Sequence, residues 1–114
     1  MKITLAQENS GGQRAERNFE KDLVVVGRDP VECDITFDKD SYPMISRKHS
    51  ELRWHGGTWY LVDLDSSYGT FLNGQRLDEA TTEMQEEGII GLGPVTLEFR
   101  MVRAPASTRS MSGQ

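Results

Sequence analysis

Cysteine occurs once in these 114 residues, at Cys33. Neither an intrachain disulfide nor a cysteine-based metal cluster can form within the chain, and a reducing, cytoplasmic setting is expected. His49 and His55 with the distant Cys33 lack the spacing of metal ligands, so no metal and no cofactor is expected. No apolar run approaches the roughly 18 residues of a membrane span, and no apolar stretch follows Lys2 as a secretory signal would require. Basic residues are in deficit, 13 Lys and Arg against 18 Asp and Glu for a net charge of −5. That balance excludes nucleic acid and anionic membranes as non-specific partners, because both need a basic face. Any anion site must therefore be local. No segment holds a helical period long enough to predict a helix.

What is present is an all-β rhythm. Short runs rich in Val, Ile, Thr, Phe, Tyr and Trp alternate with turn residues. Strands are expected at 2–6, 22–26, 34–37, 50–54, 59–64, 70–72, 88–92 and 95–102. In the last, Val95, Leu97, Phe99 and Met101 alternate with Thr96, Glu98 and Arg100, a period of two that buries one face. Trp54 and Trp59 flank Gly56 and Gly57, a hairpin pattern in which the indoles pack as core or cross-strand partners. Residues 7–17 are polar and read as a mobile loop. Residues 1–102 form one expected domain, and 103–114, without an apolar pattern, read as a disordered tail or linker.

Three runs fall in loops between these strands. Gly27 and Arg28 end the strand of Leu23 to Val26, and an arginine there offers a planar fork to two oxygens of an anion. Ser46, Arg47, Lys48 and His49 follow Tyr42, Pro43, Met44 and Ile45, adding a hydroxyl and a second guanidinium. Ser46, His49 and Asp63 could be imagined as a hydrolytic triad, but nothing resembles a nucleophile elbow. His49 is expected instead to pin neighbouring loops through both ring nitrogens. The third run spans Asp63 to Gly74. Only its tip, Ser67 and Tyr68, looks free to touch a ligand; Gly69 supplies backbone freedom, Thr70 and Asn73 tie loops together, and Asn73 with Gly74 makes a type I′ hairpin turn. Together the runs point to a receptor for a phosphate on another protein, not to an enzyme.

In these three runs, in Cys33 to Thr36 and in Glu87 to Gly93, the chain resembles the forkhead-associated (FHA) domain family over about residues 2–102. The resemblance implies a β-sandwich of two mostly antiparallel sheets, about eleven strands, with ligand loops at one end. It implies a phosphothreonine-dependent protein-protein interaction module, a monomer acting in Ser/Thr kinase signalling. By position, Arg28, Ser46, Arg47 and Ser67 resemble the family's phosphate-binding residues. Gly27, His49, Gly69, Thr70, Asn73 and Gly74 match positions that shape the loops. Tyr68 departs from the family, which commonly has asparagine there to hold the ligand's main chain; with Met44 and Tyr42 it is expected to sense the peptide flanking the phosphate. That departure motivates an alternative: a domain of this fold that has lost phosphate dependence and serves as an interaction or assembly surface.

Overall fold

Along β11 (Val95–Val102) the side chains of Val95, Leu97 and Phe99 are buried while Thr96, Glu98 and Arg100 face water, the alternation that its sequence dictates. The strand lies inside a sheet of six, and the computed structural model, which describes residues 1–8, 12–78 and 80–102, packs that sheet against a second one of five. The remaining strands are β1 (Lys2–Glu8), β2 (Arg14–Glu20), β3 (Leu23–Gly27), β4 (Ile35–Thr36), β5 (Ser50–His55), β6 (Thr58–Asp63), β7 (Thr70–Leu72), β8 (Gln75–Arg76), β9 (Thr81–Glu83) and β10 (Glu87–Leu92). The first sheet runs β2-β1-β11-β10-β7-β8 and the second β4-β3-β5-β6-β9. Among the described residues every strand pairing is antiparallel save that of β3 with β4. No helix occurs among the described residues.

The core lies between the sheets. Ile3, Leu5, Ile90, Leu92 and Leu97 from the first meet Val24, Val26, Leu52, Trp59 and Leu61 from the second, all at most 2% exposed. Trp54 and Trp59 face each other across the β5–β6 pair with ring centroids 5.8 Å apart in an edge-on arrangement, so the indoles serve packing.

The expectation of a mobile loop over 7–17 fails. β1 continues through Gln7 to Glu8, and β2 pairs with it from Glu8↔Arg14 to Lys2↔Glu20. The reason is that β2 is an edge strand whose only buried side chain is Phe19, so alternation in the sequence is almost absent. Its polar residues do local work: Arg17 lies over the Phe19 ring at 4.9 Å, and Arg14 pairs with Glu98 of β11 at 2.9 Å. The short strand β9, which was not expected, is likewise set by its backbone pairing with β6. The tail expected at 103–114 lies outside the described residues.

The β7–β8 turn carries Asn73 at φ 52° and Gly74 at φ 84°, both left-handed, as a type I′ turn requires. Asn73 also straps this hairpin to β10. Its Oδ1 accepts the Ile89 N–H at 2.8 Å, and its own N–H donates to the Ile89 carbonyl at 2.7 Å. Asn73→Ala loses the side-chain bond and meets strain at positive φ, together about 1–2 kcal/mol. The expected melting temperature falls by roughly 5–15 °C. Asn73→Gly removes the strain but not the lost bond and should fall between; an alanine variant melting with wild type would refute the strap.

Candidate functional site

The loops following β3, β4 and β6 gather at one end of the sandwich, and their anchor is a single carbonyl. The Arg47 C=O accepts the N–H groups of Arg28 at 2.9 Å and Asp29 at 3.1 Å, with the Cys33 Sγ at 3.2 Å. Gly27 is what lets the end of β3 come this close to the second loop. A Cβ on it would lie 2.2 Å from that same oxygen, inside any permitted contact, so no other residue fits without moving the backbone.

Arg28 is tied to the second loop by more than its backbone. Its Nε donates to the Ile45 carbonyl, while the terminal nitrogens of its fork have no acceptor among the described residues. Ser46 joins the third loop: its Oγ accepts the Ser67 N–H at 3.3 Å. Arg28, Ser46, Arg47 and Ser67 are thus linked through successive hydrogen bonds at one rim. Arg47 is largely exposed, and its Nη2 bonds Asp29 Oδ2 at 3.0 Å. The Val31 N–H on Asp29 Oδ1, at 2.9 Å, and then Arg47 hold the Asp29 carboxyl below the usual carboxylate range.

His49 is fully buried and does what its position between loops predicts. Nδ1 accepts the Ser46 N–H at 3.0 Å, and Nε2 lies 2.8 Å from the Gly69 carbonyl. A ring nitrogen that accepts an N–H cannot carry a proton, so the neutral tautomer has its hydrogen on Nε2, donating to Gly69. Burial is the largest influence on its pKa, lowering it, with the Gly69 carbonyl and the Asp63 charge opposing. Both nitrogens are engaged by backbone groups. The imagined Ser46-His49-Asp63 triad is therefore not formed: the His49 ring nitrogens meet the Ser46 N–H and the Gly69 carbonyl, and Asp63 Oδ1 accepts instead the hydroxyls of Ser66 at 2.6 Å and Thr70 at 2.7 Å.

Asp63 has a structural role that the sequence reading did not assign to it. With Ser50, whose Oγ lies 2.7 Å from Thr70 Oγ1, it builds the base of the third loop. A carboxylate three residues before Ser66 and seven before Thr70 was the available signal. Thr70 is buried, and Gly69, at φ 86°, turns the chain so that its carbonyl meets His49. The three residues expected to meet a peptide differ. Tyr68 is 61% exposed at the loop tip. Tyr42, by contrast, is half-buried with its ring edge-on to Phe37 at 5.6 Å, and Met44 packs against Gly93, where a Cβ would touch its Cγ at 2.8 Å. Tyr42 is thereby a packing residue before it is a ligand contact.

Comparison with known proteins bears on this rim. The model of the FHA domain matches residues 24–93, well over half of the chain and all three loops. The human nuclear inhibitor of protein phosphatase 1 is 31% identical over 94 residues, covering 80% of this chain and 26% of that protein. The chain spans less than half the length of the curated relatives it matches. Among solved structures, the Mycobacterium tuberculosis Rv1747 FHA-1 domain superposes with a TM-score of 0.70 at 29% identity, over 90% of this chain and 97% of that one. A domain studied for phosphothreonine-dependent FHA interactions superposes at 0.72 with 23% identity, over 91% of this chain and 100% of that one, which speaks to the fold.

Proposed function

This chain belongs to the FHA-domain family, and from that premise we propose that its loop rim binds the phosphate of a phosphothreonine on another protein. Arg28, Ser46, Arg47 and Ser67 are the phosphate ligands in this reading, and Tyr68 the first residue to meet the flanking peptide. The observation that carries it is the end of the Arg28 fork: Nε is fixed on Ile45, so the two terminal nitrogens are held in place with no acceptor among the described residues. Binding, not turnover, is its role. The unit that binds is residues 1–102, acting as a monomer on partners phosphorylated by Ser/Thr kinases. A cytoplasmic setting suits the single thiol, and the net charge of −5 disfavours nucleic acid and membranes.

The magnitudes are consistent with a switch. Phosphothreonine brings roughly −1.5 to −2 charges and three acceptor oxygens that threonine lacks. Two guanidiniums contribute about 1.5–3 kcal/mol each and two hydroxyls about 1 each, roughly 5–8 in gross terms. Micromolar affinity needs about 8 after the cost of ordering a peptide, so residues beyond the phosphate must contribute. Tyr68, 61% exposed, favours a second reading in which an aromatic tip docks a partner without phosphate. Titration with matched peptides separates the two. The phosphorylated form should bind on the order of a hundredfold or more tighter, the equivalent of two charged hydrogen bonds. Equal affinity for both forms would sink the phosphate reading and leave the aromatic one.

A further inference from the structure

Arg47 and Lys48 of the second loop each meet an acid of the first. Arg47 Nη2 lies 3.0 Å from Asp29 Oδ2, and Lys48 Nζ lies 3.4 Å from Glu32 Oε1. Arg28 has no such partner among the described residues. The pairs differ in setting: the Asp29 side chain is only 12% exposed, whereas Glu32 is 53% exposed. Before any ligand arrives, the rim is therefore already partly neutralised by carboxylates on the arginine loop.

We propose that Asp29 and Glu32 make this receptor selective for phosphothreonine in a basic sequence context, with a lysine or arginine beside the phosphothreonine pairing with the carboxylates that Arg47 and Lys48 give up. The inference rests on the phosphothreonine reading above. A dianion that draws Arg47 toward itself leaves Asp29 with a weakened partner. That carboxylate is shielded from water and is held ionised by the Val31 N–H, so losing its counter-ion is costly. A cation on the ligand restores the balance. An acidic flanking residue would instead meet two carboxylates at close range, and the net charge of −5 adds repulsion at a distance. Selectivity then comes as much from rejection as from attraction.

The test uses the full chain and phosphothreonine peptides in which a single lysine or glutamate is walked over the three positions on either side of the phosphate. At low salt, wild type should prefer the lysine peptide by about tenfold at one or more of these positions, a preference that shrinks as salt is raised. In the double variant Asp29→Asn with Glu32→Gln the preference should fall to about twofold or less, since unlike charges no longer meet. Asparagine keeps an oxygen for the Val31 N–H, and a thermal melt checks that the loop survives. Should the double variant not fold, Glu32→Gln alone, at an exposed pair, should remove part of the preference. Equal binding of lysine and glutamate peptides, or a preference that persists in the variants, overturns the inference while phosphate-dependent binding stands. Failure of every phosphopeptide to bind removes the receptor reading, and this inference with it.

Discussion

Arg28→Ala should raise the dissociation constant for a phosphothreonine peptide by about 30-fold or more, the equivalent of at least about 2 kcal/mol. The argument is one of geometry as well as charge. The side chain is fixed at Nε by the Ile45 carbonyl, and its backbone N–H is fixed on Arg47 O, so the terminal nitrogens need little further ordering to meet an anion. In the proposed reading Arg47 makes its own contact with the same phosphate and Lys48 offers a point charge without the planar fork, so neither stands in for Arg28. Loss of the Nε bond should cost about 1 kcal/mol of stability, a few degrees of melting temperature, which separates the two effects. Arg28→Lys keeps the charge and loses the fork; it should recover less than half of the lost binding energy. Unchanged titration by the alanine variant would remove Arg28 from the site.

His49→Ala should have the largest effect on stability, about 3 kcal/mol or more. It strands a buried N–H on Ser46 and a carbonyl on Gly69, each costing about 1–3 kcal/mol when unpaired, and leaves a cavity where a ring was. Because those partners sit in two different ligand loops, phosphopeptide binding should weaken as well. If the variant does not fold, pH tests the same claim on wild type. The unfolded chain binds a proton at His49 near pH 6.5, while burial lowers the folded value. Between those values the unfolded state holds more protons, so stability is whole above about pH 6.5 and declines as pH falls below it. Asp29 and Asp34, whose carboxyls are held below their ordinary range, add their losses only at more acidic pH. A melting temperature unchanged between pH 7.5 and 5.5 would contradict this account of His49.

Much of this architecture was legible in the residues. β11 announces itself by strict alternation, the Asn73–Gly74 turn by residue types that tolerate positive φ, and His49 by a polar ring flanked by two candidate loops. What could not be read was carried by backbone pairing. β2 has Phe19 as its only buried side chain, and β9 offers Thr81 to Glu83 with none, so neither leaves a hydrophobic pattern. In the site, Arg28 and Ser46 could be identified by type, but Asp29 could not. Its pairing with Arg47, 18 residues away, depends on how two loops meet around one carbonyl. The edge-on contact of Tyr42 with Phe37 on the neighbouring segment was likewise not legible, because it depends on how the loop folds back.

Both tryptophans lie toward the β5–β6 turn, whereas Ser50 and Asp63 mark the end of that hairpin nearest the loops. Indole emission will consequently report the melting of the sandwich body and stay silent when a phosphopeptide is added. Folding and ligation can then be followed in one cuvette by separate optical channels, the native fluorophores for the first and a label on the peptide for the second.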